Sequence, residues 1–185
     1  HFVEAQIKAG VKIIYLHARK AWLNGLSPKE NREIPPLNYG RAARLAADYP
    51  ELDIILNGGL ETAKDIRAAS EKGAFCGVMV GRAAYKTPRE LAAMSAEIFG
   101  HELADLQQIA EEMSCYAKTA AQKGVRLHSI TRHMLGLFTG LKGARYWRRT
   151  LGEQARRDTA QASLIAETAK NCLAQQGASS NRKVA

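Results

Sequence analysis

The sequence of 185 residues contains little cysteine, few aromatic residues and no long apolar run. Its three cysteines, Cys76, Cys115 and Cys172, are far apart and form no CxxC pair, so the spacing favours neither a disulfide framework nor a zinc site. No segment approaches the ~18 apolar residues that a membrane helix requires. We therefore expect a reduced, cytoplasmic protein with no membrane contact and no metal centre, in which each cysteine is a small buried apolar side chain.

Acidic residues are scarce between residues 126 and 157. This region contains one acid, Glu153, and eight basic residues: Arg126, Arg132, Lys142, Arg145, Arg148, Arg149, Arg156 and Arg157. Solvated helices usually mix the two signs, because opposite charges four residues apart attract each other. The imbalance therefore favours a surface that binds a polyanion, and an ordinary solvated helix face is the alternative.

Strand-like and helix-like patterns alternate in the first part of the sequence. Short apolar runs recur three times, at residues 11–16, 52–56 and 77–80. Helical patterns separate these runs, over residues 37–49 and 62–72, with Asn38 and Thr62 as N-caps. Such alternation predicts an α/β fold with a parallel sheet and helical crossovers.

The pattern changes after Arg82. From Pro88 to about Gln176 only helical spacing is present, and the following residues are small and polar. We predict three regions: an α/β domain over 1–87, an all-α domain over 88–176 and a disordered tail over 177–185. Because His1 lies inside a helical pattern and no initiator Met precedes it, the chain is expected to be a segment of a longer protein.

The residues that end the three predicted strands are suited to binding a phosphate. They are His17, then Asn57-Gly58-Gly59, then Gly81-Arg82. In parallel α/β folds ligands bind at the carboxyl ends of the strands. Glycine turns let a phosphate approach backbone N–H groups, and a guanidinium adds charge-assisted hydrogen bonds. A single glycine motif is a weak signal, but two adjacent strand ends of this kind, one of them with an arginine, together favour a phosphate site.

The segment between the first strand and its crossover helix is unusually long and basic. It spans residues 17–37, whereas connections of this kind usually have about 2–6 residues. Its prolines limit flexibility, so Lys29 and Arg32 are expected to be held in place. The alternative is a solvated surface loop.

Four segments resemble tRNA-dihydrouridine synthases, in particular the A subfamily: HARKAWLNGLSPKENREIPPL, ILNGGL, GVMVGRAAY and SITRHMLGLFTGLKGARYWRR. The resemblance implies the C-terminal part of a (β/α)8 TIM barrel followed by an all-α helical domain. It also implies reduction of D-loop uridines in tRNA, at positions 20 and 20a, with FMN as cofactor and NADPH as reductant. The full-length enzyme is expected to be a monomer.

The resemblance assigns roles to individual residues. FMN contacts are expected from His17, Asn57, Gly58, Gly59, Gly81 and Arg82. Contacts with tRNA are expected from Lys29, Arg32, Arg132, Arg145, Arg148 and Arg149. The family's catalytic cysteine and a lysine come from earlier parts of the barrel that are missing here, so this segment alone is expected not to catalyse and to bind FMN poorly.

Two other interpretations are compatible with parts of the sequence. A different FMN-dependent TIM-barrel oxidoreductase would share the phosphate motifs, but it would leave the basic helical region unexplained. A non-catalytic tRNA-binding module would explain the basic region alone. In the same region, Tyr146 and Trp147 are candidates either for stacking on bases or for anchoring their helix to its neighbours.

Overall fold

The computed structural model describes residues 1–180, with side chains through residue 176. The chain forms two compact units, His1–Ala83 and a second unit that begins at Ala84. The predicted limit at 87/88 lies close to this division. Among the described residues, no helix is long and apolar enough to cross a lipid bilayer.

The first unit contains a three-stranded parallel sheet with helices between the strands, as the sequence predicted. Its elements are α1 (Phe2–Lys8), β1 (Ile13–His17), a 3₁₀ turn (Glu30–Arg32), α2 (Tyr39–Asp48), β2 (Asp53–Asn57), α3 (Ala63–Ser70), β3 (Gly77–Met79) and the start of α4 (Arg82–Lys86). The short helix α4 was not predicted from the sequence.

Both predicted N-caps are confirmed. The Asn38 side chain accepts a hydrogen bond from the backbone N–H of Arg41 (2.8 Å) and begins α2. Thr62 and Asp65 form a reciprocal capping box at the start of α3. Such caps satisfy N–H groups that the first helical turn leaves without a partner. The short helices of this unit therefore begin at residues set by local sequence.

The strands lie in the order β1-β2-β3, and their carboxyl ends are aligned. His17 lies opposite Asn57, and Asn57 lies opposite Met79. One face of the sheet packs against helices, with Ile54 and Leu56 fully buried. The opposite face is open, since Ile13 and Tyr15 are 51% and 63% exposed. The register brings the three predicted strand-end motifs to a single edge.

The described part of the second unit consists of helices. They are the remainder of α4, α5 (Pro88–Phe99), α6 (Leu106–Ala121), α7 (Leu127–Thr131), α8 (Ala144–Glu153), a 3₁₀ turn (Gln154–Arg156) and α9 (Leu164–Ser180). Trp147 is fully buried at the centre of their core, stacked at a tilt on Phe138 with ring centroids 4.6 Å apart. Its indole N–H donates to the Met134 carbonyl (2.9 Å). Trp147 therefore anchors α8 and cannot stack on a base.

Two further expectations need correction. The helix α9 continues to Ser180, so the predicted disordered tail 177–185 begins too early; a helix already formed extends at little cost, since each residue adds one hydrogen bond. Residues 181–185 of that tail lie outside the described residues. Cys172 is buried as expected, but Cys76 and Cys115 are exposed.

Candidate phosphate-binding site and basic surface

A cavity of about 190 Å³ lies at the carboxyl edge of the sheet in the first unit. It is lined by all six residues predicted to hold a phosphate-bearing cofactor, His17, Asn57, Gly58, Gly59, Gly81 and Arg82, together with Arg32, Leu60, Glu61, Met79 and Ala83. The volume is several times the ~30 Å³ that one water molecule occupies in the liquid. The cavity is therefore large enough for a phosphate group.

His17 is held as a neutral hydrogen-bond donor at the end of β1. Its Nδ1 accepts a hydrogen bond from the backbone N–H of Arg19 (3.2 Å). Partial burial lowers the pKa of His17 below its ordinary value of 6.5, and the positive charges of Arg19 and Arg82 lower this pKa further. At neutral pH the imidazole is therefore uncharged, and with Nδ1 accepting, the proton is on Nε2. The Nε2–H group can donate to a bound ligand.

The Asn57-Gly58-Gly59 turn is shaped by the protein's own packing. Gly58 and Gly59 both have positive φ angles, of 111° and 69°. A Cβ on Gly58 would lie 2.9 Å from Cε1 of His17, and one on Gly59 would lie 2.3 Å from Cδ1 of Leu37. The hydroxyl of Tyr39 donates to the Gly58 carbonyl (2.7 Å) and fixes its direction. The fold itself therefore requires glycine at positions 58 and 59.

Gly81 differs from the other two glycines. It does not have a positive φ angle, and a Cβ placed on it would meet no atom within 4 Å. The protein's own packing therefore does not require a glycine at this position, and the expected approach of a phosphate to Gly81-Arg82 stays a prediction. Gly81 also lines the cavity, so a bound ligand is the candidate reason for the absence of a side chain there.

The guanidinium of Arg82 is oriented by the long loop, residues 18–36. Its Nη1 donates to Oε1 of Glu33 at 2.9 Å, and both side chains are about half exposed. Glu33 directly follows Arg32, which also lines the cavity. Arg32, which was predicted to contact tRNA, lines the same cavity as the residues predicted to hold the cofactor. Lys29 is exposed at the start of the turn Glu30–Arg32.

Internal hydrogen bonds hold the long loop in place. Arg19 donates through Nη1 to the backbone carbonyls of Glu33 (3.2 Å) and Pro35. Asn31 joins the two halves of the loop, because its Oδ1 accepts from the Trp22 N–H (2.8 Å) and its Nδ2 donates to the Trp22 carbonyl (2.9 Å). The sequence pointed to proline as the source of rigidity, but these hydrogen bonds contribute at least as directly.

Helix α8 in the second unit presents a basic surface. Arg145, Arg148 and Arg149 are exposed and lie on one side of the helix, since residues three and four apart are neighbours on a helix. Trp147 and Leu151 are on the buried side. None of the three arginines forms an ion pair within residues 1–180. By contrast, the exposed Arg126 pairs with Asp158 at 2.7 Å.

Arg132 is the fourth arginine predicted to contact tRNA in this unit. It is exposed at the C-terminal end of α7, and α7 packs against α8. Next to it, the Nδ1 atom of His133 lies 2.8 Å from the hydroxyl of Tyr85, which is 61% exposed. The arginines of this region thus face solvent, while its aromatic Trp147 does not.

Reasoning from the sequence missed two residues that shape the cavity. Tyr39 orients the glycine turn, and Glu33 orients Arg82. Tyr39 follows the recognised N-cap Asn38, but no pattern links it to Gly58, which is 19 residues later. Glu33 and Arg82 are 49 residues apart. Only the tertiary structure brings the members of each pair together.

The geometry defines a class of protein: a parallel α/β protein with a cavity at the carboxyl edge of its sheet, attached in sequence to a basic helical unit. Comparison with known proteins gives the family. A family model described as dihydrouridine synthase (Dus) matches residues 1–175. The chain therefore belongs to the dihydrouridine synthase family, which confirms the resemblance seen in its motifs.

Curated relatives agree with this assignment. The tRNA-dihydrouridine(20/20a) synthase of Salmonella typhi is 46% identical over 161 residues, which are 86% of this chain and 48% of the relative. The protein of that name from Shewanella oneidensis is 46% identical over 162 residues, with 86% and 48% covered. The one from Vibrio parahaemolyticus is 47% identical over 150 residues, with 80% and 45% covered. The chain spans about half the length of the curated relatives it matches.

Proposed function

We propose that this chain supplies the FMN phosphate site and part of the tRNA-binding surface of an enzyme that reduces uridine to dihydrouridine in tRNA. One observation supports this most directly. In a chain of the dihydrouridine synthase family, the residues that end three neighbouring strands line one cavity. We use "the full-length protein" below for a polypeptide that contains this sequence and has the length of its relatives.

The residues around the cavity fit the phosphate end of FMN. Asn57 offers an amide, the Gly58-Gly59 turn offers backbone N–H groups, Arg82 offers a guanidinium and His17 offers a neutral N–H. Charge-assisted hydrogen bonds from such donors are the strong ones in phosphate recognition. When bound, the flavin would supply hydride transfer to the double bond of uracil, with NADPH as the source of electrons. The role of the chain is to hold and orient the cofactor.

The finer architecture that we propose is the C-terminal part of a (β/α)8 barrel followed by an all-α helical domain. The exposed face of the sheet supports a barrel, because parallel sheets are normally covered on both faces. Ile13, Tyr15 and Met79 on this face are large apolar side chains with 44% or more of their surface exposed. Further barrel strands would close the sheet so that these side chains point into its packed interior.

The proton donor of the proposed reaction is not expected from the cysteine in the first unit. Cys76 directly precedes β3, whereas the cavity lies beyond the opposite end of that strand. Its thiol donates to Oδ1 of Asp53 (3.2 Å) at the first residue of β2, and this hydrogen bond is the largest cause that raises its pKa. A raised pKa makes the thiol a weaker acid and therefore a poorer proton donor. We therefore propose that another part of the full-length protein supplies the catalytic cysteine.

The basic surface on α8 would bind the tRNA. A uridine can reach a flavin only after it leaves its stack, which costs a few kcal/mol that other contacts must offset. Arg145, Arg148 and Arg149 are suited to phosphate contacts, because they are exposed and make no ion pair within residues 1–180. Lys29 and Arg32 on the long loop are proposed as further tRNA contacts, and Arg132 extends the surface. Uridines 20 and 20a are the proposed targets, by analogy with the relatives' names.

The test is dihydrouridine formation by the full-length protein. Unmodified tRNA would be incubated with FMN and NADPH, and dihydrouridine would be located by primer extension after mild alkaline treatment. Dihydrouridine at positions 20 and 20a, with tRNA affinity that falls as salt is raised, is the expected result. NADPH oxidation without any tRNA product would favour a different flavin oxidoreductase, and salt-dependent tRNA binding with no reduction would favour a binding module.

A further inference from the structure

Glu33 occupies a central place in the contacts around the cavity. Its carboxylate accepts from Arg82 Nη1 at 2.9 Å. Its backbone carbonyl accepts from Arg19 Nη1 at 3.2 Å, and the backbone N–H of Arg19 donates to His17 Nδ1 at 3.2 Å. One residue of the loop is thus connected, directly or through Arg19, to two of the three strand ends that form the site.

Glu33 also ends the part of the loop that carries Lys29 and Arg32. It directly follows the 3₁₀ turn Glu30–Arg32 and closes it, because its backbone N–H donates to the Glu30 carbonyl (2.9 Å). Lys29 lies at the start of this turn and Arg32 at its end. Both basic residues therefore lie within the single turn that Glu33 closes.

We propose that Glu33 is a positioning residue that connects occupation of the cofactor cavity with the order of the loop, residues 18–36. This inference rests on the proposed function of the cavity, and it deepens that function by adding a coupling between the cofactor site and the loop. Glu33 does not contact the cofactor in this account, because it acts through Arg82.

The chemistry of arginine explains how this coupling would work. A guanidinium has five N–H donors in one rigid plane, so Arg82 can donate to Glu33 through Nη1 and still offer donors to a phosphate. An exposed ion pair is weak by itself, because two long side chains must be immobilised for a screened attraction. A phosphate would immobilise Arg82 in advance, and Glu33 would then be held at lower entropic cost. By linkage, an ordered loop would in turn strengthen phosphate binding.

The alternative is that Glu33 acts only through its negative charge. A carboxylate near the cavity weakens binding of an anion. Removal of the Glu33 carboxylate would then strengthen phosphate binding, whether or not Glu33 pairs with Arg82. Glu61 provides a matched control. It lines the same cavity and has the same charge, but it makes no ion pair within residues 1–180.

Trypsin gives a direct measure of loop order, because it cleaves after Lys29 and Arg32. The full-length protein and its Glu33→Ala, Glu33→Gln and Glu61→Ala variants would be digested with and without FMN at saturating concentration, with FMN affinity measured separately by flavin fluorescence. We expect FMN to slow cleavage at these two sites by about five-fold or more in the parent protein, a typical coupling. Glu33→Ala should remove most of this protection, and Glu33→Gln, which retains a hydrogen-bonding oxygen, should restore part of it. Glu61→Ala should leave the protection in place.

The outcomes separate this inference from the proposed function. Full protection of the FMN-saturated Glu33→Ala variant would overturn the coupling and leave the FMN site standing. Equal loss of protection in Glu61→Ala would show that the protection does not depend on the pair between Glu33 and Arg82, and it would also overturn the coupling. Absence of FMN binding by the parent protein would overturn both proposals.

Discussion

Substitution by alanine should lower the free energy of unfolding at Gly59 and leave it almost unchanged at Gly81. Gly59 has a φ of 69°, and an added Cβ would lie 2.3 Å from Leu37 Cδ1. Placing alanine in this left-handed conformation costs about 1–2 kcal/mol, and displacing Leu37 adds to that cost. Gly81 has an ordinary φ and no neighbour within 4 Å of an added Cβ. We therefore expect Gly59→Ala to lower the free energy of unfolding by at least about 1–2 kcal/mol and Gly81→Ala to change it by no more than about 0.5 kcal/mol.

Gly81→Ala should instead affect the affinity for FMN. Gly81→Ala puts a methyl group into open space that we assign to the cofactor phosphate, so it should weaken FMN binding while the protein stays as stable as its parent. Urea unfolding measures the first quantity, and a fluorescence titration with FMN measures the second. If Gly81→Ala bound FMN as tightly as the parent, the phosphate would not lie beside Gly81. If it destabilised the protein as much as Gly59→Ala, the described geometry of the turn would be wrong.

Three other predictions concern single side chains. Arg148→Ala should weaken tRNA binding and reduce the slope of log affinity against log salt by roughly 0.7–0.9, measured by filter binding, whereas Arg126→Ala, whose guanidinium is already paired with Asp158, should change the slope less. Trp147→Ala should lower the free energy of unfolding by about 3–5 kcal/mol, while Arg148→Ala stays within about 0.5 kcal/mol; similar losses would contradict the buried position of Trp147. The pKa of His17 is lowered by burial and by two nearby guanidinium groups, so the unfolded chain takes up this proton first and the contribution of His17 to stability falls as pH drops below 6.5. His17→Asn should therefore lose less stability than the parent between pH 7 and pH 5.5 in thermal unfolding, and an equal loss would contradict this assignment.

Local sequence was sufficient to predict where α2 and α3 begin and which residues end the three strands. Asn38 and Thr62 are caps because their side chains bond to N–H groups only a few residues away. His17 and Asn57 could be placed at one edge because parallel strands align their carboxyl ends. Predictions of this kind need only nearby residues and the rules of parallel sheets.

The direction in which a side chain points could not be predicted from local sequence. Trp147 lies between two arginines in sequence, but the helical period turns it to the opposite side of α8, where a pocket formed by Phe138 and Met134 receives it. Arg32 is on a loop whose backbone is held by hydrogen bonds from Arg19 and Asn31. These contacts join residues that are far apart in sequence, so no local pattern reports them.

The central claim is that three strand ends form one site for the phosphate of a flavin. Riboflavin lacks this phosphate but has the same ring system as FMN, so the ratio of the two affinities isolates the contribution of the site. We predict that the full-length protein binds FMN far more tightly than riboflavin and that Arg82→Ala brings the two affinities closer together. Equal affinity of the parent protein for both molecules, or an unchanged ratio in Arg82→Ala, would contradict the claim.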